Sequence, residues 1–227
     1  MAVTWPAVSL LGRLAEPARA AMLSLGTKAR FPAGRCMMRL GEPSGHAFLL
    51  IDGLVKVHGN DSGHEPLLAI RAGGDLVGEM GVLSAAGRSA SVTTCSATMA
   101  HAISAADLRA FLCSQAEVSF ALACLLADRL RWANQRRIDF AATDAASRVC
   151  RVLVALSDMY GRPAAEGLQL AVPLTQSEIA SLAGVGLATV EKTLRALARD
   201  KILHRGYRRI VVSDPEELWR RADTGNS

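Results

Sequence analysis

No apolar run in this chain is long enough to cross a bilayer. The longest, Phe120 to Ala127, stops at Asp128, far short of the roughly 18–20 residues that a spanning helix needs. The first residues, Met1 to Leu10, have no basic stretch ahead of an apolar one, which argues against a secretory signal. The expectation is a cytoplasmic protein without a membrane partner. The five cysteines, Cys36, Cys95, Cys113, Cys124 and Cys150, are odd in number and widely spaced. They offer neither a disulfide framework nor paired metal-ligand spacing, so reduced and mostly buried thiols are expected. A Ser/His/Asp constellation, a metal-ligand motif and a P-loop are all missing, so the chain does not read as an enzyme or as the holder of a tightly bound cofactor or metal. No internal repeat or low-complexity tract is present.

What is present fits two domains, since 227 residues exceed the usual single-domain size of roughly 100–150. Half of the chain is apolar, its formal charge is +5 and its pI is near 9.2. The charge fits a polyanionic partner, although many ordinary proteins share it, so position matters more than total. From Arg30 to about Ile103, short β-type runs alternate with Gly, Pro, Asp and Ser, as in Phe31-Pro32-Ala33-Gly34 and Arg71-Ala72-Gly73-Gly74-Asp75. That spacing predicts a β-roll or jelly roll. Ahead of it, Glu16 to Leu25 reads as a short helix with Pro17 in its first turn.

Between Arg88 and Tyr160 there is neither Gly nor Pro, and long helices are expected. Val118, Leu122, Leu125, Leu126, Leu130 and Ala133 recur at spacings of three and four, with Asp128, Arg129, Arg131, Arg136 and Arg137 largely off that stripe. A stripe on so long a helix needs cover, either the β-roll or a second copy in a parallel helix pair. Asp144 suits the N-cap of a further helix from Ala145 to Met159, which puts a hinge near Ala141 to Ala145. Gly161-Arg162-Pro163 ends that helix, and Glu166 to Pro173 reads as loop with a short strand. The boundaries that follow are 1–113, 114–143 and 144–227.

Thr175-x-x-Glu178 forms a capping box, Gly184-Val185-Gly186 supplies a tight turn, and Leu187 to Arg199 forms a second helix with Val190, Leu194 and Leu197 inward. This is a helix-turn-helix. Lys201 to Val212 reads as two short strands with a basic tip, a wing. In such a module the second helix enters the major groove. Lys192 or Arg195 could read guanine, Glu191 could accept from cytosine N4, and Leu187 or Ala188 could touch a thymine methyl. Thr175, Gln176, Thr189, Arg205, Tyr207, Arg208 and Arg209 complete the candidate contacts to double-stranded DNA. The bland reading of each one is a solvated surface.

The most informative segment is Gly78 to Ser89, which can set a carboxylate and a guanidinium at opposite ends of one small anion. Glycines let the backbone turn and present N–H groups, and Arg88 can grip a phosphate with its fork. Gly74 to Glu79 (GDLVGE) followed by Arg88-Ser89 resembles the phosphate-binding cassette of cyclic nucleotide-binding domains. Gly41-Glu42-Pro43 and Phe48 to Val57 resemble the β-roll strands of that domain. With the helix-turn-helix, the whole chain resembles a bacterial transcription regulator of the Crp/Fnr (cyclic AMP receptor protein) family.

The resemblance implies an α+β fold: an N-terminal cyclic nucleotide-binding β-roll, a long dimerisation helix and a C-terminal winged helix-turn-helix. It implies cyclic AMP or cyclic GMP as an effector, a homodimer, RNA polymerase as a partner, and allosteric control of DNA affinity. Glu79 would hold the ribose 2′-hydroxyl, Gly78 and Met80 would offer backbone contacts, and Arg88 with Ser89 would hold the phosphate. Arg129 would supplement the base or phosphate contacts, unless it is a solvated helix charge.

Three departures qualify this. Relatives often carry a Thr-Ser or Thr-Asn pair for the base where this chain has Ala133-Asn134, so Asn134 can still meet the base edge but a hydroxyl contact is lost at Ala133. They often carry Arg-Glu where this chain has Leu187-Ala188, so a different DNA target or weaker discrimination is expected. The closely spaced cysteines of iron–sulfur relatives are missing. A haem or redox sensor using His46, His58, His64 or His101 is a rival reading, and a ligand-independent regulator with a vestigial pocket is another.

Overall fold

A computed structural model describes residues 4–60 and 63–223. Two compact units result, Met1–Leu130 and Arg131–Ser227. The first begins with helices α1 (Leu10–Arg13) and α2 (Glu16–Leu23), followed by strands β1 (Thr27–Phe31), β2 (Cys36–Met38), β3 (His46–Asp52), β4 (Leu54–His58), β5 (Leu67–Ala72) and β6 (Leu76–Val77). Helix α3 (Glu79–Ser84), strands β7 (Ser91–Thr94) and β8 (Thr98–Ser104), and helices α4 (Ala105–Ser114) and α5 (Ala116–Ala142) come next. The strands pair antiparallel into two four-stranded sheets, β1-β8-β3-β6 and β2-β7-β4-β5.

Strand β3 explains the layering. Its residues 47–51 are all buried, because alternate side chains face opposite sides of a sheet. Ala47, Leu49 and Ile51 join a cluster with Leu10, Met22, Leu108 and Val118 from the helices. Phe48 and Leu50 join Met38, Val55, Val77 and Val92 between the sheets. The β-roll is therefore a sandwich with a helical layer on one outer face. Strand β6 follows the same division, Leu76 toward the helices and Val77 toward the second sheet, and it delivers the chain to Gly78.

Within the glycine-free run α4 and α5 meet at Gln115 with a bend of 110°, which lets Leu108 before the break and Val118 after it both reach one core. The apolar stripe also divides. Val118, Ala121, Leu122 and Leu125 are buried within their own unit, so the β-roll covers that half. Leu130 is 62% exposed and Phe120 is 73% exposed. The exposed face of α5 instead carries Phe120, Ala123, Ala127, Leu130, Asn134 and Arg137, alternately three and four residues apart, which is a heptad seam. Among the described residues no single helix is long and apolar enough to cross a membrane.

In the second unit, Asp144 caps α6 (Ala145–Tyr160) by accepting from the N–H groups of Ala146 and Ser147. The chain then forms β9 (Gly161–Ala164), β10 (Gly167–Leu170), α7 (Gln176–Ala183), α8 (Leu187–Arg199), β11 (Leu203–Gly206), β12 (Arg209–Val212) and α9 (Pro215–Asp223). The strands form one sheet, β11-β12-β10-β9. Gly161-Arg162-Pro163 thus starts a strand as well as ending a helix, and Pro163 is tolerated because β9 is an edge. Helix α6 packs against α7, α8 and α9, burying Val149, Leu153 and Leu156.

Candidate functional site

Gly78 opens the cassette with φ +80°, and a Cβ there would lie 2.5 Å from Arg88 Nη1 and 3.0 Å from Met38 Cε. Glycine is required both by the left-handed backbone and by the space that the guanidinium fills. Glu79 starts α3 and is buried. Gly81 lets α3 sit against the preceding loop, since a Cβ there would fall 2.0 Å from Ser44 Oγ. The return segment is fixed by backbone pairing: Arg88 N–H donates to Glu42 O at 2.8 Å, and Gly41 N–H donates to Arg88 O at 2.9 Å. The Gly41-Glu42 turn is therefore what holds Arg88 in register with Gly78.

Arg88 is only 4% exposed, and its Nη1 donates to Gly78 O at 3.2 Å. Burial pushes its pKa below the ordinary arginine value, opposed by the nearby Glu42 and Glu79 carboxylates. A guanidinium in that position is short of negative charge, the condition that an incoming phosphate relieves. Ser89 is exposed, with Oγ 3.9 Å from Met80 Sδ, and Met80 is itself 55% exposed beside it. Gly78, Glu79, Met80, Arg88 and Ser89 are thus brought together.

Arg129 joins them from α5. Its Nη1 donates to Glu79 Oε1 at 2.7 Å, while Nη2 donates to Asp75 Oδ1 at 3.3 Å and to Leu76 O at 3.2 Å. It is therefore not a solvated helix charge, its side chain being 17% exposed. Asn134 is exposed on α5 and belongs to the second unit.

In the second unit Thr175 accepts from Glu178 N–H, and Glu178 accepts in return from Thr175 N–H at 2.8 Å. The Thr175 hydroxyl also donates to Glu178 Oε2 at 3.1 Å, so it is committed to holding the start of α7. Gly184, with φ +62°, ends α7 and turns the chain into α8. Val190, Thr193, Leu194 and Leu197 are buried, whereas Leu187, Ala188, Glu191, Lys192 and Arg195 are exposed along one face, with Thr189 half-buried. Thr175 and Gln176 line a cleft with Arg205, Tyr207, Arg208 and Arg209. At the wing tip Tyr207 is 91% exposed, Arg208 stacks 5.6 Å from its ring, and Arg209 Nε donates to Gln169 Oε1 at 3.0 Å.

Comparison with known proteins matches residues 28–115 to the cyclic nucleotide-binding domain and residues 147–221 to the Crp-like helix-turn-helix domain. The "CRP-like cAMP-activated global transcriptional regulator" of Mycobacterium tuberculosis is 34% identical over 198 residues, 85% of this chain and 86% of that protein. The chain belongs to the Crp-like family of transcription regulators. The "Cyclic AMP receptor protein" of Thermus thermophilus is 30% identical over 193 residues, 85% of this chain and 86% of its own length. Among solved structures, the c-di-GMP responsive global regulator CLP of Xanthomonas campestris superposes with a TM-score of 0.74 at 23% identity, covering 87% of this chain and 99% of that one. That likeness supports the fold.

As a Crp-like regulator, the protein joins a cyclic nucleotide-binding domain to a DNA-binding helix-turn-helix, and the relatives named above are transcription regulators rather than enzymes. Several of its residues escaped the sequence reading. Asp75 sits inside the GDLVGE motif but had no role assigned, and Arg109 fastens α3 by donating from Nε and Nη2 to Val82 O at 2.9 and 2.5 Å. Arg13 pairs with Asp128 at 2.6 Å, one residue before Arg129. The first had a signal, its place in the motif; the other two are long-range pairings without one.

The histidines are scattered: His46 stands edge-on to Phe48 at 4.7 Å, His101 Nδ1 lies 3.1 Å from Leu25 O, and His64 is exposed. Only Cys150 is fully buried, Cys113 being exposed and the other three half-buried, which corrects the expectation of mostly buried thiols.

Proposed function

We propose that the chain is a homodimeric, sequence-specific DNA-binding regulator whose DNA affinity is set by a cyclic nucleotide in the cassette, cyclic AMP first and cyclic GMP as its competitor. The observation that carries this is Arg88, a buried guanidinium bonded to Gly78 O at the N-terminal end of α3, where the Glu79 carboxylate also lies. The chemistry pairs phosphate with Arg88 and Ser89, ribose with Glu79, and the base edge with Asn134. The relatives named as cAMP-activated support the same effector class. Ala133 lacks the hydroxyl that a threonine would offer, worth about 0.5–1.5 kcal/mol, and this opens the site to cyclic GMP.

Two copies would pair in parallel along Phe120, Ala123, Ala127, Leu130, Asn134 and Arg137, the exposed heptad face of α5. We put the hinge at residues 141–145, a reading supported by the end of α5 at Ala142 and the cap of α6 at Asp144. A ligand acts here only by preferring the arrangement in which both recognition helices face successive major grooves. Cytoplasmic location and contact with RNA polymerase follow from the same reading. Thermal melting with cyclic AMP, cyclic GMP and linear 5′-AMP tests it: the cyclic nucleotides raise the melting temperature by mass action and 5′-AMP does not. Equal melting in all three defeats the effector assignment.

A further inference from the structure

The second unit holds a cleft of about 620 Å³ that none of the candidate DNA contacts lines. Its walls are the last turns of α5, the first half of α6 and the end of α7, where Trp132, Phe140, Val152, Ala155, Leu182 and Ala183 supply apolar surface. Its charge is one-sided: Arg136, Arg137, Arg148 and Arg151 face a single acid, Asp139. That acid is already engaged, its Oδ1 accepting from Arg151 Nη1 at 2.6 Å and from Gln135 Nε2 at 2.9 Å. Arg148 meets carbonyl oxygens instead, Nη1 donating to Thr143 O at 2.6 Å and Nε to Ala183 O at 3.2 Å. Arg136 Nη2 donates to Ser181 O at 2.9 Å. Both of these guanidiniums lie over aromatic rings, Arg136 at 4.7 Å from the Trp132 centroid and Arg148 at 5.2 Å from that of Phe140.

Carbonyls at helix ends carry only partial charge, so they fix the arginines in place and leave the cleft positive. Burial lowers the pKa of Arg136, as it does for any cation withdrawn from water. A small inorganic anion would answer the charge and leave the apolar walls wet, whereas a neutral hydrocarbon would cover the walls and leave the guanidiniums without a counter-charge. A flat apolar body with one carboxylate does both. The volume also falls within the roughly 300–1,000 Å³ of small-molecule sites. We propose that this cleft is a second small-molecule site, separate from the cassette, for an aromatic carboxylate. The ring lies against Trp132, Val152 and Leu182, and the carboxylate meets Arg136 and Arg148. The occupant touches α5 and α6 on either side of residues 141–145.

The test compares naphthoate with its neutral counterpart naphthalenemethanol by calorimetry on the full chain. Naphthoate is expected to bind at one site per chain and about tenfold or more tightly than the alcohol, the size of one hydrogen bond between charged groups. Ala155→Phe fills the cleft, and naphthoate affinity is expected to fall about tenfold or more, with thermal melting showing that the variant is folded. Absence of naphthoate binding, equal affinity for the acid and the alcohol, or wild-type affinity in folded Ala155→Phe each overturns the proposal. A crystal structure of the wild-type protein with naphthoate decides the matter without any variant. The ring beside Trp132 with its carboxylate on Arg136 or Arg148 supports the site, and naphthoate placed elsewhere refutes it.

Discussion

Arg88 and Glu79 show how much of the site lies in single residues. Both are among the buried polar groups of the chain, and each is costly to bury unless it has a task or a partner. Glu79 has its partner in Arg129; Arg88 has a carbonyl and the fields of the Glu42 and Glu79 carboxylates. Arg88→Gln is expected to weaken cyclic nucleotide binding by about 100-fold or more, the loss of a charge-assisted bidentate grip, with calorimetry as the measurement. In the wing, Arg208→Ala is expected to lower DNA affinity equally for specific and random duplexes. It should also make the slope of log K against log salt shallower by about one phosphate contact; an unchanged slope would remove Arg208 from the phosphate contacts.

The residues of the cassette were legible because the chemistry requires those types at close spacing. The partner of Arg129 was not, since fifty residues separate it from Glu79 and no local rule links them.

Among the elements, α6, α7 and α8 were readable because each starts with a local signal that the structure uses, Asp144, Thr175 with Glu178, and the Gly184-Val185-Gly186 turn. Helix α3 was hidden because Gly78 and Gly81 read as loop, whereas they are glycines for room against Arg88 and Ser44. Helix α9 had an unread signal: Asp214 ahead of Pro215-Glu216-Glu217 is a helix start, and Asp214 Oδ1 accepts from Glu217 N–H at 2.9 Å. The bend between α4 and α5 has no breaker residue; packing imposes it.

Two expectations belong at this scale. Asp144 has its pKa lowered, first by the hydrogen bond from the Ser147 side chain and then by the backbone N–H groups that it caps. Its stabilisation is therefore present above the ordinary carboxylate value of 3.8 and lost as pH falls below it. Asp144→Ala should cost about 1 kcal/mol at neutral pH, and the gap from wild type in chemical denaturation should close as the solution is acidified through that range. On α5, Leu130→Asp places a charge in the heptad seam without touching the buried Val118, Leu122 and Leu125. Light scattering should then show monomers with an intact fold; a dimer that survives would move the interface elsewhere.

For the whole molecule, the sequence carried the division of labour further than the packing. A glycine-punctuated β-roll and a capped helix-turn-helix announce themselves by period and turn chemistry, and the two family matches, residues 28–115 and 147–221, fall on those two regions. Which face of α5 is free became visible only once the β-roll had covered the other one. In the proposed function the two regions act as input and output: the segment Gly78 to Ser89 as anion cradle, and a winged helix whose exposed face runs from Leu187 to Arg195 as DNA reader.

Linkage requires that a nucleotide which raises DNA affinity be bound more tightly by the DNA complex in the same proportion. The most direct measurement is the affinity of the full chain for its selected DNA duplex with and without saturating cyclic AMP or cyclic GMP, at one fixed salt concentration. The account predicts tighter binding with one of the two nucleotides, by about 5- to 150-fold for a typical coupling of 1–3 kcal/mol, and loss of that gain in Arg88→Gln. Equal DNA affinity with and without either nucleotide would contradict it.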